Sequence, residues 1–80
     1  MRDLELHAIH LKDEAWLVQF YDPNIATIEQ EIEKEFNTVG EVTVWAESFG
    51  KVENVWQGGD SVQVSVPYEN KGQARKMLAL

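Results

Sequence analysis

Residues 22–37 read DPNIATIEQEIEKEFN, and this stretch decides the fold that the sequence predicts. Its large apolar residues are three, four and four positions apart, which places them on one side of an α-helix. Asp22 can accept hydrogen bonds from the first amides of a helix, and Pro23 fits the first helical position. We therefore predict a helix over residues 22–37 that packs on a sheet. Its apolar stripe consists of Ile25, Ile28, Ile32 and Phe36.

The other side of the predicted helix is acidic. Each apolar side chain contributes roughly 1.5–3 kcal/mol when it is fully buried. Repulsion between like charges one helical turn apart costs only about 0.2–0.5 kcal/mol per pair. We therefore expect burial of the stripe to hold the helix together while the acids face solvent. These acids include Glu29, Glu31, Glu33 and Glu35.

Strands are predicted on both sides of this helix. Residues 4–11 alternate apolar and polar types, and residues 15–21 are rich in strand-forming types, so an antiparallel hairpin is expected. Residues 41–47 are predicted to form a third strand and residues 51–57 a short strand or extended arm. Glycines 58 and 59 with Asp60 predict a turn before a strand over residues 61–67.

A final helix is expected after residue 70, because Asn70 and Gln73 have the spacing of a capping box. The element order is strand, strand, helix, strand, short strand, strand, helix. It predicts one α+β domain over residues 1–80, a two-layer sandwich in which both helices cover one face of the sheet. The sheet is expected to be antiparallel or mixed, with four to five strands.

The charge distribution favours a basic protein partner. Residues 1–41 contain ten acidic and three basic residues, which accounts for the whole net charge of −7. Sequence-independent binding to nucleic acid is disfavoured, because it depends on cations that neutralise phosphates. The chain has no cysteine and no apolar run of membrane-spanning length, so a cytoplasmic protein is expected.

No motif predicts catalysis, a metal site or a cofactor. His7 and His10 are three residues apart on a predicted strand, so their side chains should point to opposite faces. No serine lies in a nucleophile motif, and the glycines at 58 and 59 lack the lysine of a phosphate loop. The sequence therefore favours a non-catalytic protein.

Two tryptophans are candidate anchors for a protein partner. Trp45 is predicted to project from the sheet face opposite the helices, and Trp56 lies near glycines in a segment that buries little. Glu29 and Glu33 are expected to steer a basic partner. We predict a small acidic domain with a regulatory or inhibitory role. A homodimer of this domain is a further hypothesis. The simpler alternative is that the tryptophans only enlarge a thin core.

A competing hypothesis is a module that binds single-stranded nucleic acid. Its bases would stack on aromatic residues of the sheet. Its phosphates would contact the basic residues of the final helix, which are Lys71, Arg75 and Lys76. The simpler explanation for these cations is that they complement the dipole at the C-terminal end of a helix.

Overall fold

The computed structural model describes residues 1–56, 58 and 60–79. It is an α+β fold in which five antiparallel strands form one sheet with two helices, so the α+β class is confirmed. The predicted element order is wrong, because three strands precede the first helix and two strands separate it from the second. The strands lie side by side in the order β3-β2-β1-β5-β4. The elements are β1 (Leu4–Lys12), β2 (Ala15–Asp22), β3 (Thr27–Glu35), α1 (Val39–Glu47), β4 (Lys51–Val55), β5 (Ser61–Val66) and α2 (Lys71–Leu78).

The helix predicted over residues 22–37 is wrong, because this stretch forms a turn followed by β3. The Asp22 carboxylate accepts a hydrogen bond from the Asn24 amide at 2.8 Å, as in an Asx turn. Ala26 then adopts a left-handed conformation with φ of 51°, and the chain returns antiparallel to β2. An Asx turn and a helix N-cap use the same kind of short-range hydrogen bond, so Asp22 is compatible with both.

The apolar stripe is therefore split. Ile32 pairs with Val18 and packs against the core, and Phe36 is buried. Ile25 and Ile28 are 57% and 50% exposed. The spacing of four between Ile32 and Phe36 is an even number, so it also places both side chains on one face of an extended chain.

The strand predicted over residues 41–47 is also wrong, because this segment forms the helix α1. The Thr38 hydroxyl accepts a hydrogen bond from the Glu41 amide at 3.2 Å, and the Glu41 carboxylate accepts one from the Asn37 amide at 3.0 Å. These reciprocal bonds resemble a capping box and stabilise the start of the helix. Val42 and Ala46 face the core at helical spacing.

The final helix is confirmed, but its predicted capping box is absent. The Asn70 side chain makes no capping hydrogen bond. A 3₁₀ turn over Tyr68–Asn70 leads into α2 instead, with the Asn70 amide donating to the Pro67 carbonyl at 2.9 Å. Ala74 and Leu78 are the buried residues of this helix.

One apolar cluster holds the sheet and both helices together. It contains the inward residues of β1, β2 and β5 and buried residues of α1 and α2. We call the sheet face that contributes to this cluster the closed face and its opposite the open face. The predicted short strand is confirmed as β4, while Gln57 and Gly59 of the predicted arm and turn lie outside the described residues. In the described part of the chain, neither helix has the length and apolarity needed to cross a bilayer.

Candidate functional site

The open face is the candidate site, and the strand register determines which side chains share it. Directly paired residues of antiparallel strands project on the same side of a sheet. Three rows of side chains therefore run across the open face, from β5 through β1 and β2 to β3. They are Ser61-Ile9-Leu17-Glu33, Gln63-His7-Gln19-Glu31 and Ser65-Glu5-Tyr21-Ile28.

Trp56 lies at one side of this face. Its backbone amide donates to the Ser61 carbonyl at 3.0 Å, which holds it beside the first row. The indole is 47% exposed and lines a groove with the neighbouring residues of β1 and β5. An aromatic side chain with an apolar body and a polar nitrogen is well suited to contact a protein partner there. The other residues of this groove are His7, Ile9, Asp60, Ser61, Val62 and Gln63.

Three glutamates line the opposite side, along β3. Glu31, Glu33 and Glu35 pair with Gln19, Leu17 and Ala15 and are all exposed. Alternate residues of a strand repeat about every 6.8 Å, so the three carboxylates form an evenly spaced row. We call this set the acidic row.

The lysine on the same strand as the acidic row points away from it. Lys34 belongs to the same strand, but its ammonium lies over the rings of Phe36 and Trp45, at 5.7 and 5.5 Å from their centroids. Among the described residues, none of the three carboxylates has a salt-bridge partner. Glu31 accepts one neutral hydrogen bond, from the Gln19 amide group at 2.7 Å.

Trp45 is not on the open face, so its predicted position is wrong. It lies on α1 and packs against Phe36 and Phe49, with ring centroids 5.3 and 4.8 Å apart. The prediction failed because residue 45 was assigned to a strand. In a helix, its side chain joins the partly buried residues around the core.

Glu29 is also separated from the acidic row. The register between β2 and β3 shifts beside it, because Phe20 pairs with Gln30 while Tyr21 pairs with Ile28. This β-bulge redirects the Glu29 side chain, and its carboxylate lies 2.5 Å from the Lys71 ammonium. Of the four residues predicted to bind a partner, Trp56 and Glu33 therefore share the open face.

Lys71 joins Glu29 to the buried Asp22. The Lys71 ammonium lies 2.7 Å from a carboxylate oxygen of Asp22, and the Asp22 side chain is only 1% exposed. This hydrogen bond is the main reason why the pKa of Asp22 is lowered. The pKa of Lys71 is raised, chiefly by its hydrogen bond to Asp22 and then by its hydrogen bond to Glu29.

The other two cations of α2 are exposed. Arg75 and Lys76 border a shallow depression with Gln30, Gly72 and Ala79. The buried residues of α2 belong to the closed-face cluster, and in the part of the chain that the structure describes no residue of α2 lines the Trp56 groove. The three cations of the competing hypothesis therefore do not join the open-face groove.

The histidines occupy different surroundings, as their spacing predicted. The Nε2 of His7 is 3.1 Å from a Glu5 carboxylate oxygen on the open face. The His10 ring packs on Trp16, with centroids 5.0 Å apart. Residues 1–56, 58 and 60–79 contain no group of three or more His, Cys, Asp or Glu side chains that could hold a metal ion.

Sequence reasoning missed Ile9, Leu17 and Glu31 as members of one surface. The signal was present in β1 and β2, whose alternation assigned Ile9 and Leu17 to the face opposite the core residues Ala8 and Val18. Glu31 was missed because a helix was expected there. Comparisons with family models, with curated proteins and with solved structures find no match for this chain.

Proposed function

We propose that this chain is a non-catalytic interaction domain that binds a basic protein partner through the open face and regulates or inhibits it. The supporting observation is that an exposed tryptophan and a row of glutamates without a salt bridge lie on the open face, among the residues that the structure describes. The proposal assumes a two-layer arrangement with both helices on the closed face. It places the protein in the cytoplasm.

Trp56 acts as the anchor in this proposal. Tryptophan is enriched among residues whose truncation weakens a protein interface by about 2 kcal/mol or more. Ile9 borders the Trp56 groove, and the adjacent Leu17 supplies further apolar surface on the open face. Burial of these side chains by a partner provides affinity.

The acidic row selects and steers the partner. Across four strand spacings of about 4.8 Å each, it lies roughly 19 Å from the Trp56 side of the sheet. A partner that covers both features must place cations against β3. Complementary charge of this kind increases the association rate and rejects acidic partners.

The same charges argue against a homodimer through the open face. Two copies would bring together chains that each carry a formal charge of −7. Close approach of like charges opposes such a complex. A different, basic chain is therefore the partner that we propose.

The test is capture of partners from a cell lysate by matched variants. The wild-type chain is compared with W56A, with the double variant E31K/E33K and with E69K, which reverses an exposed glutamate on the 3₁₀ turn. We expect the wild type and E69K to retain a basic polypeptide that both open-face variants lose. Equal capture by all four folded proteins would contradict the proposal.

The competing function is binding of single-stranded nucleic acid, which the exposed Arg75 and Lys76 favour. It would have to operate with Lys71 already engaged by two carboxylates. Titration with a single-stranded oligonucleotide at low salt, followed by tryptophan fluorescence, distinguishes the two functions. Our proposal predicts no quenching, whereas quenching that weakens with added salt would support the nucleic-acid module.

A further inference from the structure

We propose that the basic partner docks as an extended segment along β3, forming a sixth strand with a cationic side chain at every second residue. This inference rests on the proposed function and specifies its partner. It names a backbone conformation and a charge pattern, neither of which follows from the net charge alone.

β3 forms one edge of the sheet. β3 contains nine residues, lies at the end of the strand order and pairs with β2. No strand of the described chain occupies its other side. An edge strand presents amides and carbonyls to which an extended peptide can bind.

β4 forms the other edge of the sheet and is less regular than β3 over residues 31–35. β4 has five residues, and its register with β5 shifts between Val52 and Asn54. This shift interrupts the pairing within β4. On β3 the shift lies beside Glu29, and residues 31–35 pair with β2 in regular register, so the regular edge is the one that carries the acidic row.

The spacing of the acidic row matches that of alternate side chains on an extended basic segment. Residues that lie directly opposite each other on paired strands have Cβ atoms about 4.5–5.5 Å apart. Lysine or arginine at alternate positions of an added strand would therefore face Glu31, Glu33 and Glu35 one by one. The intervening residues would lie opposite Ile32 and Lys34, which favours an apolar and an acidic or polar side chain there.

The acidic row also explains how the free edge avoids wrong partners. Charged side chains on edge strands oppose pairing with other sheets, including a second copy of the same chain. Pairing with a neutral or acidic strand would desolvate the carboxylates of Glu31, Glu33 and Glu35 and leave them without a cation. This cost disfavours such a strand. A strand with alternate cations removes that penalty, so one feature provides both exclusion and selection.

The open part of this edge lies beyond the contact with α2. The Gln30 side-chain amide donates to the Arg75 carbonyl at 3.1 Å, so α2 approaches β3 at that residue. Residues 31–35 follow it and are exposed except for the half-buried Ile32. The segment that we assign to the partner is therefore residues 31–35.

The test uses synthetic peptides of one composition with the full-length protein. One nine-residue peptide carries three lysines at alternate positions with valine and threonine elsewhere, and its isomer carries the lysines at every fourth position. We expect the alternating peptide to bind at least about tenfold more tightly, measured by calorimetry at low salt. E33Q should weaken it, while E69Q should not.

Backbone methylation separates strand addition from attraction by charge. Successive amides of a strand point to opposite sides, so the alternating peptide is made in two N-methylated forms, one methylated at its lysines and one at the residues between them. Strand addition predicts that one form keeps its affinity while the other loses about tenfold or more. Equal affinity of the two forms overturns this inference.

The remaining outcomes separate this inference from the proposed function. Tighter binding of the every-fourth peptide would indicate a helical partner and overturn the extended segment alone. If no peptide binds but the open-face variants still lose a basic polypeptide from lysate, the interaction domain stands and strand addition is wrong. If capture is also unchanged, both proposals are wrong.

Discussion

The two faces of the sheet are made by the same strands but have opposite chemistry. On the closed face, the buried residues of β1, β2 and β5 are apolar except Asp22, and none is more than 3% exposed. On the open face, their immediate neighbours are polar, charged or half-buried. Burial on one face stabilises the fold and leaves the other free to bind, so substitutions on neighbouring residues should separate stability from binding.

The largest effect is expected for Trp16→Ala on the closed face. Trp16 is 3% exposed and packs edge-on against Phe36, with ring centroids 6.5 Å apart. Removing a buried aromatic side chain leaves a cavity and costs about 3–5 kcal/mol of unfolding free energy. Urea unfolding followed by circular dichroism measures this loss. A loss below about 1 kcal/mol would show that the closed face does not hold the fold in the way described.

A smaller effect is expected where the chain passes from α1 to β4. A Cβ on Gly50 would overlap the backbone carbonyl oxygen of Ser65 on β5, so Gly50→Ala should cost about 1–3 kcal/mol. Gly72 is the matched control, because a Cβ there meets no atom within 4 Å. Gly72→Ala should stabilise α2 by roughly 0.4–1 kcal/mol. Equal unfolding midpoints for the two variants would contradict the close approach at Gly50.

The next effect depends on pH and concerns Asp22, the one buried charge among residues 1–56, 58 and 60–79. Because the folded-state pKa of Asp22 lies below its ordinary value of 3.8, its contribution to stability is present above that pH. The contribution is lost as the pH falls through the folded-state pKa. The substitution Lys71→Met removes the ammonium that lowers the Asp22 pKa and leaves the burial that raises it. Loss of stability in acid should therefore begin at a higher pH than in the wild type.

Urea midpoints measured from neutral pH into the acid range test this shift, with Lys76→Met as the control at an exposed lysine. The raised pKa of Lys71 predicts a second limit. The stability that Lys71 contributes is present below pH 10.5 and is lost as the pH rises through the folded-state pKa of Lys71. Parallel pH profiles for the wild type and Lys71→Met would show that the ion pair does not contribute to folding.

The smallest effects on stability are expected on the open face. Trp56→Ala and Glu33→Gln alter exposed side chains and should change the unfolding free energy by no more than about 0.5 kcal/mol. Their binding defects should therefore appear in fully folded protein. Urea unfolding beside the binding assays checks this separation, and a loss comparable to that of Trp16→Ala would remove the contrast between the faces.

Much of the fold could be predicted from alternation along the chain. β1, β2 and β5 combine alternating side chains with recognisable turns, and the predicted strands coincide with them. In the middle of the chain, the structure has a strand where a helix is predicted and a helix where a strand is predicted. Both predictions are wrong because a spacing of four residues fits the helical period and the strand period alike. Val42 and Ala46 are four apart in α1, as Ile32 and Phe36 are in and after β3.

The sequence features that fit the observed strand and helix in the middle of the chain are weaker than the features that predict a helix from Asp22. Glutamate at every second position from 29 to 35 fits a strand with a solvated face, and Thr38 with Glu41 fits a helix start. These signals compete with the stronger apparent helix start at Asp22. Packing against β2 and the positive φ of Ala26 resolve the competition, and neither is visible in the sequence alone.

The candidate site was predictable only in part. Trp56 and Glu33 were predicted to be exposed and lie on the open face, but the strand register that brings them to one face depends on long-range pairing. Trp45 needed the helix α1 to be recognised, and Glu29 needed a β-bulge that has no clear residue signature. Long-range contacts also decided the role of Lys71, since its partner Asp22 is remote in the chain.

The central position of β1 has a consequence for synthesis of the chain. β1 lies between β2 and β5, and its Leu4 pairs with Val66 near the other end of the sequence. During vectorial translation, the three N-terminal strands emerge first and β1 remains without its second neighbour until β5 leaves the ribosome. Long-range strand pairing of this kind slows folding, so the nascent meander carries a vacant edge until residues 61–66 follow.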